Sequence, residues 1–553
     1  MKRSLYTLAI ISLFSGAAKA QYNLGVATSN WSGLNSLYLN PANIADSRHR
    51  FAIDIVGINA GIDNNLGTLN TNGGIFDIAN DGNTNNVFKY GNTNTFSLLA
   101  PYAQFRLPGV MVSINNRHSV ALTAGLRGMN QFNNFDRSLY RTLTEVDYMP
   151  DGNITLTSRM FNYTAHVWSE IGGSYGAVVV DEFQHKLKVG VTLRYLGGIG
   201  YVGLRGNNLD AYYKGGENDT LFVTKSDLEF ASNAVSTRSA VVNGVSNHNI
   251  FEDFFGAKDG HGFGGDVGVV YEFNPNPTEH ADYHNPKRGH RNNSVNNYLI
   301  RASASVVDIG SIKYSRANNS NARVTGDGVV AGNDFEDKVS NYETFREYAV
   351  SHGFTADTFH RDTRVYMPTR LNLAVDVRVY KRVYINAMFI GNLANRQNFG
   401  NSYYNQFTVT PRYDSKIFSV GTPITYGVLS NTVKMGVGIR FSGFYIGSDD
   451  MLALVTGNQS GANLYVGGFI PFNKRAPKEH YHHDDEDTSG AEIEPDYDHG
   501  GSNDEEDPQP ERPRRRGGSP APEEKSTSSE QRNIHNSAAI RKREINSEIE
   551  KKD

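Results

Sequence analysis

Residues 371–379 (LNLAVDVRV) alternate without a break. Leu371, Leu373, Val375, Val377 and Val379 fall on one face, and Asn372, Ala374, Asp376 and Arg378 on the other. Period two is the signature of a strand. The same rhythm sets Met435, Val437, Ile439 and Phe441 against Gly436, Gly438, Arg440 and Ser442. It sets Val189, Val191, Leu193 and Tyr195 against Gly190, Thr192 and Arg194, and Val120, Leu122, Ala124 and Leu126 against Ala121, Thr123, Gly125 and Arg127. A soluble sandwich also alternates, but it buries its apolar face and wets the polar one. Here the polar faces combine small residues with arginine, as a crowded lumen requires. An Arg on the lipid face would cost about 2–4 kcal/mol at the bilayer midplane, and the aliphatic rows contain none. The pattern predicts an all-β fold, a transmembrane antiparallel β-barrel.

Short polar turns separate the paired runs: 115–118 (NNRH), 181–184 (DEFQ) and 380–382 (YKR). Longer polar stretches at 64–94, 274–297 and 318–362 read as extracellular loops or lumen plugs. Strand candidates between Phe51 and Phe472 number about fourteen. The last is 463–472 (NLYVGGFIPF), which ends on an aromatic and resembles the final-strand signal read by the barrel-assembly machinery.

The two ends of the chain have a different character. Lys2 and Arg3, the apolar run 5–14 and Ala18-Lys19-Ala20 make a secretory signal peptide over residues 1–20. From residue 474 onward the apolar rhythm stops. An acidic block runs from Asp484 to Asp507, followed by prolines and the basic group Arg512, Arg514, Arg515 and Arg516. Such a composition buries too little apolar surface to fold, so residues 474–553 read as a disordered charged tail on the periplasmic side. The expected organisation is therefore signal peptide 1–20, plug segment 21–49, barrel 50–473 and tail 474–553.

Composition adds the compartment. Cysteine is absent from the 553 residues, in keeping with an exported barrel that needs no disulfides. Only 38% of residues are hydrophobic and the mean hydropathy is -0.48. A barrel escapes the usual inference from such values, because each strand shows lipid only one face. The 55 Gly, 30 Tyr and 29 Phe suit tight turns and interfacial aromatic girdles. A net charge of -4 leaves no nucleic-acid footprint. The expected partners are outer-membrane lipid, the barrel-assembly machinery during biogenesis, and a periplasmic protein for the tail.

Chemistry-bearing motifs are few. Gly172-Gly173-Ser174-Tyr175-Gly176 matches G-x-S-x-G, but a nucleophile elbow needs a strand–turn–helix context, and this one lies inside a glycine-rich strand. His480, His482 and His483 beside four acids are candidate metal ligands, but a site without fixed geometry binds adventitiously. His280, His284 and His290 with Asp282 read as solvated loop residues. Asp77, Asn80, Asp81, Asn83 and Asn85 have calcium-like spacing but fail the EF-hand pattern. No catalytic residue, cofactor or built metal site is expected, and the chain reads as a non-enzyme. The lumen candidates are Arg127, Arg194, Asp376, Arg378 and Arg440, all on polar faces.

Asn40-Pro41-Ala42 precedes the first strand. Pro41 fixes its own φ and drives Asn40 into an extended or turn conformation, so the element belongs inside the barrel or beneath it. It resembles the N-terminal plug motif of FadL-like long-chain fatty-acid transporters and of secretion-associated barrels of Bacteroidota. The segments 40–61 (NPANIADSRHRFAIDIVGINAG), 187–198 (LKVGVTLRYLGG), 303–314 (SASVVDIGSIKY), 367–376 (MPTRLNLAVD) and 463–472 resemble a Bacteroidota outer-membrane barrel family known only as a domain of unknown function. That resemblance implies compartment and architecture, and no activity or site residues. The expected function is passage of a small hydrophobic or amphipathic molecule across the outer membrane. The alternative is a non-transporting scaffold or accessory subunit of an envelope or secretion complex. An apolar channel or lateral opening favours the first, and a lumen filled by the arginines and Asp376 the second.

Overall fold

A computed structural model describes residues 22–474, apart from 70–87, 92–93, 139–153, 183, 215–219, 234–255, 257, 276–295, 297, 317–319, 332–337, 339–341, 360 and 453–459. Fourteen antiparallel strands close into a barrel. The first five are continuous: β1 (His49–Asn64), β2 (Thr95–Ser113), β3 (His118–Asp136), β4 (Ile154–Asp181) and β5 (His185–Lys214). The next three are interrupted: β6 (Thr220–Ser232 and Gly260–Phe273), β7 (Ile300–Tyr314 and Ser320–Ala331) and β8 (Thr355–Phe359, Thr363–Tyr366 and Arg370–Tyr380). The remainder are β9 (Val383–Asn392), β10 (Gln406–Asp414), β11 (Phe418–Gly421 and Ile424–Gly427), β12 (Thr432–Met435 and Val437–Phe441), β13 (Phe444–Ser448) and β14 (Gly461–Asn473). Closure is made at β1, which pairs with β2 on one side and β14 on the other, Phe51 opposite Phe472 and Asn59 opposite Tyr465. No free edge remains there, as a barrel in lipid requires.

The alternating rows resolve into two faces. Leu373 and Val375 are 41% and 46% exposed, while Asn372 and Asp376 between and beside them are 3% and 1% exposed. Leu193, Phe263, Ile309, Phe407, Ile439 and Phe441 join the same outward apolar surface around the wall. In water such a continuous apolar exterior would be untenable, and a bilayer is the solvent that accepts it. Among the described residues no helix is long and apolar enough to cross a membrane, so the strands do the crossing.

The strands differ greatly in length. β4 and β5 run for 28 and 30 residues, against 5 for β13. A membrane crossing takes about 9–11 residues, so β2 to β5 project well beyond the bilayer on one side. A separate apolar cluster including Phe96, Phe135, Phe161, Tyr163, Leu209 and Val223 packs that extension. Helix α2 (Tyr342–Ser351) packs on β7 and β8, following a short α1 (Leu24–Ala27) near the N-terminus.

One expectation about loops is corrected. The stretch 318–362 contains strand residues 320–331 and 355–359, which continue β7 and β8 above the membrane. Both faces of that extension are largely polar or small, so it lacks the aliphatic row of a lipid-facing strand. The stretch 274–297 joins β6 to β7 on the rim that carries the barrel's two ends, since β6 descends to Phe273 and β7 rises from Ile300. The first strand begins at His49, two residues before the expected start at Phe51. Residues 1–21 and 475–553, including His480, His482 and His483, lie outside the described residues.

Candidate functional site

Residues 22–48 fill the barrel lumen. α1 is followed by two 3-10 turns, Gly33–Tyr38 and Pro41–Ile44. Leu24, Val26, Leu34, Leu37, Ala42 and Ile44 are all buried. Asn40 is extended (φ -158°, ψ 120°) and its side chain accepts from the Ala42 N–H at 2.9 Å, with Pro41 at the first helical position. This is an N-cap that the Asn-Pro-Ala order dictates. The same side chain donates to the carbonyls of Val269 on β6 and Ala304 on β7, both at 3.1 Å. Glycines let the turn seat against the wall: a Cβ on Gly190 would lie 2.3 Å from Ala42 N, and one on Gly268 2.1 Å from Asn40 Oδ1.

Polar side chains from many strands hold the rest of the plug. Asp449, just after β13, accepts from the N–H groups of Leu24 and Gly25 at 3.1 and 3.3 Å. Asp414 on β10 accepts from Ser29 Oγ at 2.7 Å and Asn30 N at 2.8 Å. Arg106 on β2 donates to Asn35 Oδ1 at 2.7 Å, and Ser305 and Asn372 donate to the Leu39 carbonyl at 2.6 and 2.8 Å. At the plug's foot, Asp46 meets Lys186 of β5 at 2.6 Å. Burial pushes the Asp46 carboxyl up, but Arg48, Lys186, Lys188 and Lys474 outweigh it and hold it well below the usual carboxylate range.

Two ion clusters brace the lumen beside the plug. In the first, Arg127, Arg194 and Arg370 surround Asp308: Arg127 Nη1 and Arg370 Nη1 approach its carboxylate to 2.8 and 2.6 Å. Arg194 takes Asp266 through two bonds of 2.7 and 2.5 Å, and Arg127 also lies 3.2 Å from Glu170. Three guanidiniums against three carboxylates make the group neutral, and it ties together β3 to β8. In the second, Arg412 binds Asp376 through both nitrogens at 2.6 and 2.7 Å. Arg301 lies 3.4 Å from the same carboxylate, and Tyr298 donates to it at 2.5 Å.

The five lumen candidates therefore have separate fates. Arg127 and Arg194 share Asp308. Asp376 is paired with Arg412 rather than with Arg378 beside it. Arg378 is half-buried near the rim and donates to the Asn296 carbonyl at 3.2 Å. Arg440 closes the β10–β11 turn, donating to the carbonyls of Ser415 and Ser442 at 2.5 and 2.7 Å. The residues not singled out from sequence are Arg106, Arg301, Arg370, Arg412, Glu170, Asp266 and Asp308. Arg412 had a signal: Gln406, Thr408, Thr410, Arg412 and Asp414 alternate with Phe407, Val409 and Tyr413.

Ser174 lies within β4, its hydroxyl 2.9 Å from that of Thr192 on β5. Among the described residues no group of three or more His, Cys, Asp or Glu side chains is placed to hold a metal.

No curated protein matches the chain in sequence. Among solved structures, a Pseudomonas aeruginosa FadL homologue is 11% identical with a TM-score of 0.35, the match covering 83% of this chain and 96% of that one. The Ralstonia pickettii toluene transporter TbuX is 10% identical with a TM-score of 0.32, covering 83% and 97%. A deltaS2 mutant of the monoaromatic hydrocarbon channel TodX is 10% identical with a TM-score of 0.34, covering 84% and 98%. A family model matches residues 41–449, from the plug's proline to the aspartate after β13. The chain belongs to the family of unknown function DUF5723.

Proposed function

We propose that this chain is a gated outer-membrane barrel that passes a small hydrophobic or amphipathic molecule, with residues 22–48 as its gate. The observation that carries the reading is how the plug is held. It contributes no strand to the wall, and its anchors are chiefly hydrogen bonds made through side chains such as Asn40, Ser305, Asp414 and Asp449, with the Asp46–Lys186 ion pair at its foot. Water can replace each of these hydrogen bonds singly, so the segment can shift while the strand ladder stays closed. The closed ladder and apolar exterior support an outer-membrane location, because only a closed barrel satisfies its backbone in lipid with strands. Ser174 lies inside a long strand with its hydroxyl paired to that of Thr192, not on the strand–turn–helix elbow a nucleophile of this motif needs, which supports a role without catalysis.

A second reading has its own observation. The neutral cluster of Arg127, Arg194 and Arg370 with Glu170, Asp266 and Asp308 joins β3 to β8 through side chains of the wall itself, with Arg370 also donating to the plug's Tyr38 carbonyl at 3.1 Å. A barrel braced in this way can serve as a sealed accessory subunit of an envelope complex. One measurement separates the two. The chain lacking residues 24–48 is inserted into planar bilayers, and its conductance and its uptake of a lipophilic fluorophore are compared with those of the full chain. A gate predicts that both rise on deletion. No rise in either, from a barrel that still shows heat-modifiable mobility, sinks the gate and leaves the sealed subunit.

A further inference from the structure

Among the described residues the foot of the plug carries more positive charge than its carboxylates neutralise. Asp46 gathers Arg48 at 2.8 Å, Lys186 at 2.6 Å and Lys188 at 3.8 Å. Lys188 turns chiefly to Glu272, at 2.5 Å, and Lys186 has Asp181 at 3.8 Å on the more exposed side. Lys474, the first residue after β14, is tied to the group by its own N–H, which donates to the Arg48 carbonyl at 3.0 Å. Its ammonium is buried and finds no hydrogen-bond acceptor among the described residues. Arg48, Lys186, Lys188 and Lys474 thus face Asp46, Asp181 and Glu272, four cations against three carboxylates, and Lys474 is the one left over.

A buried cation without an acceptor is costly, and the cost is relieved when an anion arrives. Burial accordingly pushes the Lys474 amine down to about 8; Asp46 pulls it the other way, and Arg48, Lys186 and Lys188 add to the fall. Beside the group lies a cavity lined by Ser36, Asn43, Ser47, Arg48, Lys188 and Arg301, in a wall shared with Asp46 and Glu272; Lys474 adjoins it through Arg48 rather than lining it. Hydroxyl, amide, ammonium and guanidinium donors converging on one space suit a tetrahedral oxyanion, which has acceptors in every direction. We propose that this niche binds a phosphate-class oxyanion, entering from the rim that carries both barrel ends. A free phosphate and a phospholipid headgroup offer the same chemistry. The site does not depend on whether the barrel conducts.

The test is calorimetric titration of inorganic phosphate into the purified full chain in a zwitterionic detergent, at constant ionic strength, against a sodium chloride control. Binding of phosphate that chloride does not reproduce, weakened about tenfold or more by Lys474→Gln, is the expected result. Because the Lys474 ammonium has no hydrogen-bond acceptor to orphan among the described residues, and Asp46 keeps Arg48, Lys186 and Lys188, that variant should fold, and an unchanged melting temperature in phosphate-free buffer checks it. A parallel arm places the chain in nanodiscs of phosphatidylglycerol or phosphatidylcholine. Stabilisation by phosphatidylglycerol that Lys474→Gln removes, without binding of free phosphate, assigns the headgroup as the source. Absence of binding in both arms, or equal binding by the parent chain and Lys474→Gln, overturns the proposal.

Discussion

Arg412 on β10 grips Asp376 on β8 through two bonds, Nη1 to Oδ1 at 2.6 Å and Nη2 to Oδ2 at 2.7 Å, with both side chains 1% exposed. A fork of this kind inside a barrel wall fixes the angle between two strands that are not sheet neighbours, since β9 lies between them.

Removing one member should be worse than removing both. Asp376→Ala leaves Arg412 and Arg301 without their carboxylate and is expected to cost about 3–5 kcal/mol. Asp376→Leu with Arg412→Met takes out the pair together and should recover most of that loss. Urea unfolding in detergent micelles, followed by heat-modifiability on gels, measures both. A double variant as unstable as the single would show that the pair stabilises the wall outright.

Asn40→Ala should loosen the plug while leaving the barrel intact. The variant loses the cap on Ala42 N and leaves the carbonyls of Val269 and Ala304 without this donor. The cap and the two bonds are together worth about 2–3 kcal/mol. Limited proteolysis should then cut between residues 22 and 48 faster than in the parent chain, with the heat-modifiable gel shift unchanged. Equal cleavage rates would mean that the other anchors suffice.

How far the sequence carried the reading follows from what alternation can encode. A strict apolar row such as Leu371 to Val379 identifies a lipid-facing strand, and the polar positions between its members must then face the lumen. Alternation carries phase and says nothing of partners, so Asp376 could be placed on an inner face without Arg412 being found. Bulges erase even the phase. Asp308, the centre of the largest ion cluster, sits at φ 58° where the β6–β7 register slips between Val306 and Ile309. The sequence around it therefore reads out of step with its neighbours. Loop length was equally mute about sidedness: 274–297 is long and polar, yet only strand order puts it on the rim with the barrel ends. The plug could be located from Asn40-Pro41-Ala42, whereas its glycine seats at Gly190 and Gly268 are contacts that no local pattern records.

The two carboxyls that hold the plug's ends should respond to pH in opposite senses. Burial pushes Asp449 up to about 6, with the N–H groups of Leu24 and Gly25 opposing. A carboxyl raised in the fold contributes stability that is fully present below its unfolded value, about 3.9, and lost as pH rises through 6. Asp449→Asn should accordingly stabilise the plug at pH 7.5 by about 2 kcal/mol and abolish this dependence between pH 4 and 6. Asp46 is held low by its cations, so its contribution is present above about pH 3.9 and lost only as pH falls further. Protection factors of the 22–48 amides, corrected for intrinsic exchange at pH 4.5 and 7.5, report both, and lower protection of the Leu24 and Gly25 amides at pH 4.5 than at 7.5 would contradict the Asp449 assignment.

Gly190 is where plug and wall meet with least space to spare. Its missing Cβ would stand 2.3 Å from both Ala42 N and the Pro41 carbonyl carbon. Those are backbone atoms and cannot swing aside as a side chain would. On the strand itself a side chain is acceptable: Gly190 sits opposite Gly176 on one side and Gly268 on the other, with no positive φ to hold it as glycine. Gly190→Val therefore keeps the β4–β5–β6 ladder and raises its strand propensity, while forcing the Pro41–Ala42 turn off the wall. The displaced turn takes with it the Asn40 bonds to β6 and β7. The expected phenotype is a barrel with normal heat-modifiability, a protease-sensitive N-terminal segment and higher conductance in planar bilayers than the parent chain. A conductance unchanged by Gly190→Val, with the segment demonstrably cleaved, would assign closure of the lumen to the arginine–carboxylate clusters, because the plug would then be detached from an already sealed wall.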